Sequence, residues 1–238
     1  INIEYEFHEQ IKNILPKYNM KYTYVPRKEN HCAYGRLCHN HLSNTKTYIR
    51  QALEDYCLYG CKSENKFIPD VYRYNSKEVR LHILAGLLNT DGSSLLNRPS
   101  ISYTTVSKQL YDDVAEVARS LGLFVNTDKK PDTREKNKHV CYELTIRVNN
   151  ELYDLLSSKH KSRLNLDVKK QKNWRLIKSI EYVGKEECQC IYVDDDEHLY
   201  LTDDFIVTHN TIVAITSFVL FLMSNFNYQN ASISGKTV

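Results

Sequence analysis

Three groupings of residues in this 238-residue chain could do chemistry. The first is Asp91, in "LAGLLNTDG" (84–92), a carboxylate near the C-terminal end of an apolar helical run. The backbone dipole is already negative there, so an anion is disfavoured unless a cation joins it. Small Ala85 and Gly86 in an otherwise bulky run would let a second helix approach closely. The segment reads either as a packed helix delivering an acid to a metal or as a buried helix ending in an ordinary Thr-Asp-Gly turn. The second grouping is "HCAYGRLCHNH" (31–41), with Cys32, Cys38 and three histidines, followed by Cys57 and Cys61. Thiolate and imidazole suit zinc, but the C-x5-C and C-x3-C spacings give no recognised zinc module, and the nearby tyrosines suit ordinary packing. The third is "FIVTHNT" (205–211), where an apolar strand runs into an imidazole, a carboxamide and a hydroxyl in succession: His209, Asn210 and Thr211.

The elements that must position these residues follow from periodicity. Apolar groups at helical spacing predict helices over 5–15 and 46–60, the latter ended by Gly60. Pro69 keeps "NKFIPDVY" (65–72) extended, because it disfavours helix at Ile68. Ser76 caps a helix through "SKEVRLHILAGLL", and "KQLYDDVAEVARSLGL" forms another, closed by Gly122. Alternation predicts strands over 101–106 and 140–148, with a short helix at 149–158. "DKKPDTREKNKH" (128–139) reads as a charged loop, and Lys159–Arg175 as a basic linker. Beyond it the chain turns β-rich in "RLIKSIEYVG", "CQCIYVDD", "HLYLT" and "FIVTHN". This pattern predicts an α+β chain with a domain boundary near 165–173.

Composition narrows the classes. With 42% apolar and 26% charged residues the chain is a globular protein rather than a disordered one. A net charge of +3 and a pI of about 8.4 permit a nucleic-acid partner without requiring one. Seven cysteines at irregular spacing, without a signal peptide, favour a reducing compartment such as the cytoplasm over a disulfide framework. The longest apolar run, "IVAITSFVLFLM" (212–223), is short of the roughly 20 residues that a membrane helix needs, and reads as a buried helix. Opening on Ile1, the sequence has the look of a fragment or a processed piece.

"LAGLLNTDGS" resembles the LAGLIDADG motif of the dodecapeptide homing endonucleases. "KSENKFIP" before it and "SKQLYDDVAEVARSLGL" after it extend the likeness over roughly residues 50–125. The resemblance implies αββαββ repeats and Mg²⁺-dependent cleavage of double-stranded DNA, with Asp91 as the metal-binding acid. Asn89 stands where the motif often has its first, less essential acid. Lys66 matches a lysine that such enzymes place near the scissile phosphate. A hard divalent ion takes oxygen ligands and activates water, and a lysine stabilises the charge developing on phosphorus. Strands 101–106 and 140–148 would line a saddle along the DNA, with basic segments on its phosphates. These enzymes use two such motifs, and one is found here. Residues 1–60 are similar to the remainder of the first repeat.

"CQCIYVDDDEHLYLTDDFIVTHNT" resembles the C-terminal splicing segment of inteins, over 176–211, and inteins commonly carry this type of endonuclease inserted in a Hint splicing fold. The resemblance implies that Asn210 cyclises on its own backbone carbonyl and breaks the bond to Thr211. Being intramolecular, the attack has a high effective concentration. His209 would protonate the leaving amide, and His198 would orient or deprotonate the Asn210 side chain, as imidazoles exchange protons near neutrality. Thr211 would supply the hydroxyl that accepts the upstream acyl group. Cys190 lies near a position where some inteins place a catalytic Asp or Cys; Asp194 competes for that role, and a packed strand cysteine fits Cys190 equally well. No cofactor is implied for splicing. The N-terminal splicing half is not recognised in this chain and counts as a required partner. Residues 211–238 would be host flank, whose "TIVAI" is similar to a segment of phage-type terminase large subunits. The expected organisation is therefore an endonuclease domain over 1–165, a splicing segment over 166–210 and a flank over 211–238. The competing classes are a free-standing DNA endonuclease and a zinc-containing DNA-binding module, and no membrane partner is expected.

Overall fold

The computed structural model describes residues 3–25, 34–39, 46–131, 140–167 and 191–209, with five single positions between 181 and 187. It divides into two compact units, Ile1–Asn173 and Trp174–Val238.

In the first unit, helix α1 (Ile3–Ile14) leads into an antiparallel pair, β1 (Met20–Val25) with β2 (Tyr34–His39). Helix α2 covers only Tyr48–Asp55. The periodicity that predicts a helix as far as Gly60 is overridden: Cys57 takes a left-handed φ of 57°, and the chain turns there. After α2 the chain is extended from Lys66 to Pro69, as the proline dictates, and then makes the one-turn helix α3 (Asp70–Arg73).

The main layer pair follows. Helix α4 (Lys77–Asp91) starts where Ser76 accepts the Val79 amide, and its Leu84, Ala85 and Leu88 are buried. Strand β3 (Gly92–Ser94) leaves it directly and pairs with β4 (Ser100–Thr105). Helix α5 (Lys108–Ser120) buries Leu110, Val114, Val117 and Ala118, at spacings of four, three and one, which put them on one face. It ends as the sequence predicts. Gly122 takes φ +73°, its amide donates to Arg119 O at 2.8 Å, and Leu123 N donates to Ala118 O at 3.1 Å, a Schellman closure.

Strands β5 (Val125–Pro131) and β6 (Val140–Arg147) complete an antiparallel sheet of order β3-β4-β6-β5. Here the reading of 128–139 as a loop is corrected: Asp128–Pro131 is strand, because backbone pairing with β6 outweighs the charged composition. Helices α6 (Asn150–Leu155) and α7 (Ser158–Lys161) close the unit. The start of the expected basic linker is therefore folded, and Leu164 bridges to Arg98. Ile101, Leu144 and Ile146 from the sheet, with Leu84, Leu88, Val114 and Leu152 from the helices, make a continuous apolar core.

The described part of the second unit is a hairpin. Strand β7 (Tyr200–Thr202) pairs with β8 (Ile206–Thr208) around Asp203–Phe205, where Asp204 and Phe205 both have positive φ. Of the β-rich stretches expected before it, the described positions 181, 182, 184, 185, 187 and 191–195 form no strand; the rest of 176–190 and the apolar run 212–223 lie outside the described residues. Among the described residues, no helix is long and apolar enough to cross a membrane.

Candidate functional site

Asp91 is the last residue of α4 and is exposed. Among the described residues, no hydrogen bond or ion pair engages its carboxylate. Its neighbour Gly92 is forced: a Cβ there would lie 2.3 Å from Leu88 O, so the turn from helix to strand admits no side chain. Across the ladder from Gly92 stands Tyr103, whose buried phenol is pushed up to about 12, first by burial and then by the Asp91 charge. Beside Asp91 there is thus a phenol that stays protonated at every working pH.

Buried and half-buried polar groups hold the end of this helix. Asn89 donates through Nδ2 to Leu155 O at 3.0 Å and accepts the Ser157 amide on Oδ1 at 2.8 Å, so α4 is tied to the α6–α7 turn. Ser94 Oγ and His160 Nδ1 meet at 2.5 Å, both buried. Burial, and then nearby Lys159, pulls the His160 pKa below the ordinary imidazole value. Asn89 was read as a substituted acid; in the structure it is a bracket.

Lys66 is exposed on the extended segment before α3, and among the described residues its ammonium has no partner. Two groups of α5 grip the backbone around it. Ser107, the cap of α5, donates its hydroxyl to Lys66 O at 2.6 Å, and Asp113 Oδ2 accepts the Ile68 amide at 2.8 Å. Asp113 is 1% exposed, and its other oxygen accepts from Arg73 and Gln109, both at 2.7 Å. Burial opposes the Arg73 charge, but Asp113 and then Asp70 outweigh it and raise the guanidinium above its usual value. Sequence reasoning missed both grips. The signals were present: a Ser preceding a helix, and an acid within the apolar periodicity of that helix.

The sheet presents two faces. Ile101, Tyr103, Leu144 and Ile146 turn inward, while Ser93, Ser102, Thr104, Asn126, Thr145 and Arg147 form the alternate, polar face. Arg147, paired in register with Ser100, is a basic group on that face which the sequence reading had not singled out. On α4, Ala85 belongs to the core, so it does not serve a second helix. Gly86 is exposed, and a Cβ on it would meet nothing within 4 Å. With Ile83 and Leu87 it borders an apolar groove of about 470 Å³, whose other walls include Ile49, Leu53 and Phe67.

In the second unit the hairpin register pairs Tyr200 with Thr208, with His198 two residues and His209 one residue beyond that pair. Their rings lie 6.3 Å apart, edge to face. His198 takes a left-handed φ of 51°, and its Nδ1 lies 2.8 Å from Val193 O. Only an N–H can bond a carbonyl, so Nδ1 carries the hydrogen and Nε2 keeps the lone pair of the neutral ring. Asn210, Thr211 and Cys190 lie outside the described residues; Asp194 is exposed. Of the candidate zinc residues, His31, Cys32 and His41 also lie outside. Among the described residues, no three His, Cys, Asp or Glu side chains gather into a metal-holding group.

Comparison with known proteins bears on the first unit. Residues 67–171, from just after Lys66, match the family model described as homing endonuclease. A replicative DNA helicase DnaB of Mycobacterium intracellulare is 30% identical over 154 residues, which cover 63% of this chain and 27% of the helicase. The chain therefore matches only about a quarter of that relative's length. The helices and sheet that carry Asp91 and the polar strand face lie within the stretch that is similar to homing endonucleases.

Proposed function

We propose that the chain is an intein segment of the LAGLIDADG type: a DNA endonuclease joined to the C-terminal half of a self-splicing element. The observation that carries the endonuclease half is the family match over 67–171, with an unpaired Asp91 at the end of a capped helix. An exposed carboxylate without a protein partner suits a hard cation, and Asp91 would hold Mg²⁺, which supplies an activated water and charge neutralisation at the phosphate. Lys66 offers an ammonium to the same phosphate. The polar strand face lies along duplex DNA, and its hydroxyls, amide and Arg147 meet backbone and base edges. A partner motif would pack its helix over Gly86, where no side chain stands in the way. Asp91 is then half of the metal site, and the chain alone cuts weakly. A plasmid-nicking assay in Mg²⁺ tests this: faint nicking lost in Asp91→Asn fits, whereas nicking that Asp91→Asn leaves untouched refutes the role of Asp91.

The splicing half rests on the His198–His209 pairing. In this reading the Asn210 side-chain nitrogen attacks its own backbone carbonyl, the bond to Thr211 breaks, and a succinimide remains. His198, with its lone pair on Nε2, takes a proton from the attacking amide, and His209 gives one to the leaving amine. A match restricted to about a quarter of a helicase is also what a segment inserted into a host protein would give. The flank from Thr211 is proposed as host sequence, of a terminase or a helicase. Incubation with a separately supplied N-terminal splicing half should release residues 211–238 as a distinct mass.

A further inference from the structure

Resting on the reading of Lys66 as a phosphate-binding group, the geometry points to Ser107 and Asp113 as positioning residues that set the Lys66 ammonium on DNA. Lysine is a point charge on a flexible stem, so its aim depends on how firmly its backbone is held. Here the backbone is held on both sides of Phe67. The Ser107 hydroxyl donates to Lys66 O at 2.6 Å while its oxygen accepts the Leu110 amide at 3.1 Å, so one hydroxyl both caps α5 and fastens the lysine. Two residues on, the Ile68 amide is fixed at 2.8 Å by Asp113, whose second oxygen is saturated by Arg73 and Gln109. Ser107 is 0% exposed, so water does not compete for either bond. Both anchors belong to the first turn and a half of α5, which also packs on β4. Lys66 is therefore referenced to the same sheet whose polar face would meet the DNA.

The test is binding of the full chain to a short random-sequence DNA duplex, titrated across salt, for Lys66→Ala, Ser107→Gly, Asp113→Asn and each double variant with Lys66→Ala. Glycine is itself an accepted helix cap, so Ser107→Gly removes the donor to Lys66 with little effect on α5. Loss of one phosphate contact should make the slope of log affinity against log salt shallower by about 0.9. Ser107→Gly and Asp113→Asn should each reproduce most of that change, and combining either with Lys66→Ala should add nothing. Faster exchange of the Ile68 amide in Asp113→Asn reports the loosened clamp. Full additivity with Lys66→Ala, or an unchanged slope in Ser107→Gly, overturns the positioning role while leaving the Lys66 assignment standing. If Lys66→Ala itself leaves the slope unchanged, both the assignment and the inference fall.

Discussion

The first unit and the β7–β8 hairpin hold their candidate residues in opposite ways. In the first, each candidate group is exposed while its supports are buried or half-buried. Asp91 is backed by Asn89 and the Ser94–His160 pair, and Lys66 by Ser107 and Asp113. In the second, two three-residue strands suffice, and most of their side chains face solvent; Val207 is 60% exposed. As the proposed endonuclease, the first unit would have to restore its geometry after each turnover, and rigidity built on a core would serve that. In the proposed splicing, a bond that breaks once within its own chain would need only proximity, which a tight hairpin can supply.

The contrast can be broken at several points. The largest effect is all or none: Asn210→Ala, with the N-terminal splicing half added, should keep the 210–211 bond intact, and intact-mass measurement of a cleaved product would falsify the splicing assignment. Next in size is the helix-to-strand corner. Gly92→Ala forces a methyl against Leu88 O and should cost roughly 2–3 kcal/mol in urea unfolding. Leu88→Ala, at a fully buried site, should cost about 2–5 kcal/mol by the same measurement.

A pH effect follows from His160. Its folded pKa lies below the ordinary 6.5, so the folded state favours the neutral ring and the unfolded state binds the proton more readily. The stability it contributes is present above the ordinary value and is lost as pH falls through the folded value. Denaturation midpoints of the native chain should decline from pH 7 towards 5, and His160→Asn should flatten that decline. The smallest effect belongs to the hairpin: Val207→Ala should change global stability by no more than about 0.5 kcal/mol. A larger loss would show that the hairpin is better supported than its exposure suggests.

Local signals carried much of the main unit. Ser76 as a cap, the three-and-four spacing of α4 and α5, Gly122 and the alternation of β4 were all readable, because each depends on chemistry within a few residues. What escaped depends on partners distant in sequence. The charged segment 128–131 becomes strand only because β6 lies beside it, and no local pattern encodes that pairing. Asp113 drew no notice in the sequence, because its partners Ile68 and Arg73 lie 45 and 40 residues earlier. At the hairpin, the sequence order of His198 and His209 hinted at cooperation, but the tautomer of His198 needed the Val193 carbonyl to be placed.

Gly92 has a further consequence for where DNA would be cut. It joins Asp91 to Ser93, the first strand residue on the polar face, through a corner that no side chain can loosen. Two residues of extended chain span at most about 7 Å, roughly two base steps at 3.4 Å per step along a strand. Under the proposed function, the spacing from the sheet's polar face to the carboxylate that would hold the metal is set by this corner and does not adjust to the DNA.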